Sequence, residues 1–195
     1  MREYQIRGAE PEDVPAMLEL YRPYVEGSVA TFEYEVPSLE EFAGRVEHVT
    51  RQFPWLVCEA EGRVAGYAYA SGFHTRQAYQ WACELSVYVE MGEHRRGVGS
   101  ALYRTLLRLL KRQGYYQAYA VITVPNEESQ AFHQRFGFEQ VGYLPQCGFK
   151  LGQWCGIEYQ LLRLREPSVP AQAPLPVSAV PEEAFRRICG MAWNR

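Results

Sequence analysis

Six consecutive residues, Arg95-Arg96-Gly97-Val98-Gly99-Ser100, stand between an apolar β-rich run ending at Val89 and an amphipathic helical run beginning at Val98. Glycines at a strand-to-helix junction let the backbone approach an anion, and the first N–H groups of the helix turn the positive end of its dipole toward it. The two arginines beside them add charge-assisted hydrogen bonds. The chemistry predicted is the cradling of a diphosphate. The plainer alternative is that Gly97 and Gly99 only turn the chain while Arg95 and Arg96 are solvated. Two known phosphate loops do not fit. A P-loop requires Gly-Lys followed by Ser or Thr, and the only lysines, Lys111 and Lys150, lie elsewhere. A dinucleotide fingerprint requires a third glycine where Leu102 stands, in a parallel βαβ setting that the preceding hairpins deny.

A second group of polar residues follows one helical turn after another. Asn126, Ser129 and His133 sit at i, i+3 and i+7, so they share a helix face. Asn126 either caps that helix or holds a ligand. Such side chains need rigid elements behind them. Tyr4 to Arg7 alternates like a short strand, and Val14, Met17, Leu18, Tyr21 and Val25 mark one apolar helix face. Ser38-Leu39-Glu40-Glu41 supplies a capping box for a second helix carrying Leu39, Phe42, Val46 and Val49. Trp55 to Ala60 and Val64 to Phe73 form a hairpin about Glu61-Gly62-Arg63, and Trp81 to Val89 adds a third antiparallel strand. The helix over Val98 to Arg112 closes at Gly114. A strand over Tyr116 to Val124, the helix from Asn126, and strands near Glu139 to Leu144 and Gly156 to Leu164 complete the order β, αα, βββ, α, β, α, ββ. That order predicts an α+β fold with a mixed, mostly antiparallel central sheet flanked by helices.

The chain of 195 residues is 47% hydrophobic and 22% charged with a net charge of −3, which fits one soluble domain with or without an appendage. Arg supplies 18 of the 20 basic residues and Glu 22 of the 23 acidic ones, Asp13 being the only aspartate. EF-hand loops, kinase-type metal-binding aspartates and aspartyl nucleophiles are therefore excluded. Arginines scattered among glutamates give no basic stripe for nucleic acid. The five cysteines form no C-x-x-C pair, so no metal site or disulfide framework is expected. The amino terminus enters a strand pattern without a leader-like apolar region, and no run of 18 apolar residues occurs. A cytoplasmic protein with no membrane partner is the expectation. Composition changes at Glu166: residues 166–181 read as a Pro-rich, semi-rigid linker, and 182–195 as a short amphipathic helix with Phe185, Ile188, Cys189 and Ala192 on one face. A helix that short must dock on the protein's own core, on a dimer mate or on another protein.

The motif Arg95-Arg96-Gly97-Val98-Gly99-Ser100 resembles the Q/R-x-x-G-x-G/A signature of the GNAT acetyltransferase superfamily, and the order of elements is similar to its acyl-CoA N-acyltransferase fold. Ala30-Thr31-Phe32, Glu84-Leu85-Ser86-Val87-Tyr88-Val89, Asn126-Glu127-Glu128-Ser129 and Gly148-Phe149-Lys150-Leu151-Gly152-Gln153-Trp154 resemble the phosphinothricin N-acetyltransferase branch. The resemblance covers residues 1–165, taken as the catalytic domain. It implies acetyl-CoA as cosubstrate, no metal, and a small amino-acid-like amine of the phosphinothricin or methionine sulfone/sulfoximine type. A polyamine, an aminoglycoside or a protein amino terminus are the other acceptors, and a non-catalytic acetyl-CoA-binding module is the other class of function. A homodimer is also expected.

Residue by residue, the resemblance implies that Glu84 is the general base. The alternative is a partly exposed strand glutamate paired with an arginine. Val87, Tyr88 and Val89 would offer backbone groups to the pantetheine arm and the thioester carbonyl. Arg95, Arg96, Gly97, Val98, Gly99 and Ser100 would hold the diphosphate, with Asn126 and Ser129 touching the cosubstrate. His133 stands where related enzymes carry a tyrosine that protonates the leaving thiolate. His74, Thr75 and Arg76 would touch the acceptor, Arg76 being suited to a carboxylate or phosphinate, while Phe32 and Trp154 would wall its pocket. Related sequences tend to carry Asp two residues after the tryptophan, where this chain has Gly156.

Overall fold

A computed structural model describes residues 3–169 and 171–193. Twelve helices and strands follow in the order β1 (Tyr4–Gly8), α1 (Val14–Gly27), α2 (Leu39–Thr50), β2 (Trp55–Ala60), β3 (Arg63–Gly72), β4 (Ala82–Val89), α3 (Val98–Gln113), β5 (Gln117–Val124), α4 (Glu127–Arg135), β6 (Glu139–Lys150), β7 (Gln153–Arg163) and α5 (Glu182–Gly190). The seven strands form one sheet in the order β1-β2-β3-β4-β5-β7-β6. Among the described residues only β4 and β5 pair in parallel.

Strand alternation divides the core into two layers. Leu56, Cys58, Ala68, Cys83 and Leu85 face α3, whose Leu102, Leu106, Leu109 and Leu110 are buried with them. Each such leucine contributes about 1.5–3 kcal/mol by leaving water. On the opposite face Trp55, Val57 and Tyr67 pack against Val14, Met17, Leu18, Tyr21 and Val25 of α1 and Phe42 and Val46 of α2. Ser38 caps α2 by accepting the Glu41 N–H at 3.1 Å. Leu39 departs from expectation: it lies in the turn before the packed stripe and is 49% exposed.

Two loops need glycine. Gly114, at φ +101, ends α3 in the left-handed conformation, and its N–H reaches the Leu110 carbonyl. Glu61 and Gly62 both take positive φ, closing the β2–β3 hairpin in two residues. The β6–β7 hairpin is longer than predicted. Leu144 pairs with Ile157 and Gly148 with Cys155, so Pro145, Gln146 and Cys147 bulge out opposite Gly156 and the strand resumes after them. A Cβ at Gly156 would lie 2.7 Å from the Tyr143 hydroxyl and 3.0 Å from the Leu144 carbonyl, so a side chain there requires the exposed Tyr143 ring to move aside.

The Pro-rich segment is held along the protein rather than left as a free spacer. Gln172 O accepts from the Trp81 indole at 2.7 Å, Leu175 exchanges hydrogen bonds with Gln113, and Val177 N–H donates to Gln52 O. Val180, Ala184, Ile188, Cys189 and Ala192 then enter the α3-side core, so the C-terminal helix docks on its own chain. Pro170 of the expected linker, and Asn194 and Arg195 of the expected helix, lie outside the described residues.

Candidate active site

The parallel pairing of β4 with β5 stops almost as soon as it starts. Ala82, Cys83 and Glu84 pair with Gln117, Ala118 and Tyr119, and beyond them the strands part. The residues after that point, Leu85 to Val89 on one side and Ala120 to Thr123 on the other, wall a cleft of about 320 Å³.

Which backbone groups face the cleft follows from the β3–β4 ladder. Glu90 N–H bonds Ala65 O at one end and Phe73 N–H bonds Ala82 O at the other. Antiparallel alternation therefore turns Glu84, Ser86 and Tyr88 toward β3, and Leu85, Val87 and Val89 toward the gap. This corrects the expectation for the segment. Val87 is available as expected and Leu85 joins it. The Tyr88 backbone is committed to β3. Val89 is taken by Tyr24, whose hydroxyl donates to Val89 O at 2.6 Å and accepts from Val89 N–H at 3.3 Å.

At the far end of the cleft Gly97 adopts φ +89 immediately before α3. Its carbonyl takes the Ala101 N–H at 2.9 Å, which leaves the N–H groups of Val98, Gly99 and Ser100 without intrahelical acceptors. Gly97, Val98, Gly99, Ser100 and Arg95 all line the cleft, so an anion there meets backbone donors, a helix dipole and a guanidinium. Arg96 does not join them. It is not among the residues that line the cleft, and its Nε lies 3.5 Å from the carboxylate of Glu93, a buried residue at the cleft's border.

Asn126, Ser129 and His133 also line the cleft. The Asn126 side-chain oxygen accepts the Ser129 N–H at 3.1 Å, so it caps α4 and keeps its amide NH₂ to donate. His133 is not arranged as the expected acid. Its Nδ1 lies 2.8 Å from the Ser129 carbonyl, which only an N–H can serve, leaving Nε2 bare. Burial lowers its pKa below the ordinary histidine value, with the Ser129 bond opposing. A lowered pKa favours the neutral ring, whose Nε2 can accept a hydrogen bond but carries no proton to give.

Glu84 stands at the last paired position before the strands part. It lies on the sheet face opposite α3, with no hydrogen-bond or ion-pair partner among the described residues, and burial raises its pKa above the usual carboxylate range. The alternative pairing with an arginine does not occur among the described residues. On the same face lie Ser86 and, across the ladder, Tyr69. The loop after α1 is fastened to the β6–β7 hairpin. The buried Lys150 donates from Nζ to Thr31 O at 2.8 Å, Tyr34 donates to Phe149 O, and the Phe32 ring covers Gly148 so closely that a Cβ there would lie 2.2 Å away. His74, Thr75 and Arg76 are exposed, and Arg76 has no ion-pair partner among the described residues. Trp154 is 62% exposed, against Phe149 at 5.4 Å between ring centroids. The expected acceptor residues thus do not close a cavity together, whereas most of the expected cosubstrate residues share one.

Residues 6–156 match the model of the acetyltransferase (GNAT) domain. The chain belongs to the GNAT acetyltransferase family. It is 36% identical over 169 residues to phosphinothricin N-acetyltransferase of Streptomyces viridochromogenes, covering 87% of this chain and 92% of that one. It is 31% identical to the L-methionine sulfoximine/L-methionine sulfone acetyltransferase of Pseudomonas aeruginosa, over 82% and 94% of the two chains. The crystal structure of a GNAT superfamily phosphinothricin acetyltransferase from Sinorhizobium meliloti, in complex with AcCoA, superimposes with a TM-score of 0.83 at 34% identity, over 94% of this chain and 98% of that one.

Four residues of this GNAT site escaped the sequence reading. Tyr24 and His94, 3.1 Å apart, close the cleft beside Val89. Nothing local in the sequence ties Tyr24 to a residue 65 positions later. Leu85 gives no signal through its side chain, which is buried in the core; its backbone is what faces the gap. Lys150 carried a usable signal: it is one of two lysines and sits inside the block Gly148 to Trp154.

Proposed function

We propose that the protein transfers the acetyl group of acetyl-CoA to the amino group of a small amino-acid-like acceptor of the phosphinothricin or methionine sulfone/sulfoximine type. The observation that carries this reading is Glu84 at the vertex of the β4–β5 gap, with free backbone donors on one side and an anion cradle at the other end. Acetyl-CoA supplies an activated acyl carbon and a thiolate leaving group. Its diphosphate matches the Val98–Ser100 N–H groups and Arg95, and its amide-bearing arm matches the open edge of Leu85 and Val87.

Glu84 takes a proton from the acceptor ammonium, directly or through one water, and its raised pKa suits it to do so near neutrality. The Leu85 and Val87 N–H groups face the charge that develops on the carbonyl oxygen. The ammonium gives up two protons in becoming an amide; one restores the thiol and one goes to solvent. His133 contacts the cosubstrate and is not the source of the thiol proton. Arg76 forks onto the acceptor's acidic group, and Phe32 and Trp154 border it. The protein acts in the cytoplasm, a reading supported by five free cysteines and by the lack, among the described residues, of a helix long and apolar enough to cross a membrane. It works as a homodimer through β6 and β7, where Val141, Tyr143, Leu144 and Phe149 are exposed.

Thiol release measured over a panel of amines tests the reading. Turnover with phosphinothricin, methionine sulfone or methionine sulfoximine and none with spermidine or an aminoglycoside is expected. Turnover confined to cationic acceptors, or none at all, overturns it.

A further inference from the structure

The GNAT domain match ends at residue 156, yet the chain continues to the outer side of the glycine loop. Two arginines one turn apart on α3 hold the end of α5: Arg104 Nε donates to Ala192 O at 3.2 Å and Arg108 Nη1 to Met191 O at 2.8 Å. These are carbonyls that a helix end cannot satisfy by itself. So anchored, Trp193 lies against Gly97 at 3.4 Å from where a Cβ would stand, and against the Tyr4 ring at 5.3 Å between centroids. The Tyr4 hydroxyl donates to Glu93 Oε2 at 2.7 Å, and Glu93 also holds Arg96. The loop is therefore gripped near its start by Tyr4 through Glu93, which itself borders the cleft, and at its left-handed glycine by Trp193; Tyr4 and Trp193 themselves stand outside the cleft.

We propose that residues 182–193 are a positioning brace for the diphosphate loop, with Trp193 as the positioning residue, so that this segment sets affinity for the diphosphate-bearing half of acetyl-CoA without touching the reacting atoms. The proposal rests on the reading of the glycine loop as the diphosphate site. A loop fixed in advance loses less freedom on binding, and the gain is confined to the part of the ligand that the loop holds.

The test compares Trp193→Ala, Trp193→Phe and Tyr4→Phe with the unaltered full chain. Calorimetric titration with CoA is paired with steady-state kinetics on acetyl-CoA and on S-acetylpantetheine, a thioester without the diphosphate. For Trp193→Ala, the Kd for CoA and the KM for acetyl-CoA rise about five- to twentyfold, while kcat at saturation stays within about twofold and kcat/KM for S-acetylpantetheine is unchanged. Trp193→Phe restores most of the loss. Tyr4→Phe, which keeps the ring and removes one hydrogen bond, shows the same split at about two- to fivefold. Unchanged CoA affinity in both Trp193→Ala and Tyr4→Phe, or equal losses with both thioesters, overturns the brace. An unaltered chain that fails to bind CoA overturns the loop reading instead.

Discussion

Glu84 and Tyr119 are the last residues at which β4 and β5 pair, so the carboxylate of β4, without a partner among the described residues, stands where the sheet opens. A carboxylate in a continuous ladder would be screened by neighbours on both sides. Here the strands part beside it, so an amine and a thioester can meet there. Glu84→Gln keeps the shape and removes the carboxylate proposed as the base. The expected result is a kcat lower by about 10²- to 10⁴-fold with the KM for acetyl-CoA nearly unchanged. The acidic limb of the wild-type kcat profile should lie above the ordinary glutamate range, because burial raises the Glu84 pKa, and activity should rise with pH through it. That limb should vanish in the variant; its persistence would assign the base elsewhere.

Arg76 is exposed and has no ion-pair partner among the described residues, so it is available to an acidic acceptor. Arg76→Lys keeps the charge and loses the fork. The expected outcome is a KM for phosphinothricin raised about tenfold, with Arg76→Ala worse still and the KM for acetyl-CoA unmoved in both. Equal kinetics for Arg76→Lys and wild type would remove the bidentate contact.

Much of this site was legible in the sequence because its chemistry is local. Gly97, Gly99 and Arg95 are near neighbours in the chain, and Asn126, Ser129 and His133 share one helix face, so spacing alone groups them. What was not legible depends on distant partners. Arg96 looked equivalent to Arg95, yet it stands beside Glu93 and does not line the cleft. The commitment of Val89 to Tyr24 joins α1 to β4, which no periodicity reports. Pro145 read as the end of a strand, yet the bulge absorbs it and the strand continues to Lys150. The C-terminal helix was visible from its apolar face, but the faces of Gly8 and α3 that receive it were not.

Gly148 offers a test of the loop after α1. With the Phe32 ring covering it, Gly148→Ala forces Phe32 or the hairpin to move. An acceptor KM raised about three- to thirtyfold is expected, with little change for acetyl-CoA and a destabilisation of about 1–3 kcal/mol from overpacking. Crystals of the variant should show Phe32 displaced. Unchanged acceptor kinetics with a displaced ring would remove Phe32 from the acceptor site.

His133 supplies a prediction about both stability and catalysis. Burial lowers its folded pKa below the ordinary value of 6.5, so the unfolded chain binds the proton more tightly. Below pH 6.5 the unfolded state therefore carries more protons at this site, and stability falls as pH drops through that value toward the folded pKa. His133→Gln cannot titrate. Its Tm should decline less than that of wild type between pH 7 and pH 5, the difference closing above pH 7 apart from a constant offset for altered packing. In catalysis the bare Nε2 argues for contact rather than proton donation. The KM for acetyl-CoA should rise about two- to tenfold while kcat and its acidic limb are kept. A kcat lower by about 10²-fold or more at unchanged KM would return His133 to the role of acid, because general-acid catalysis is worth that much.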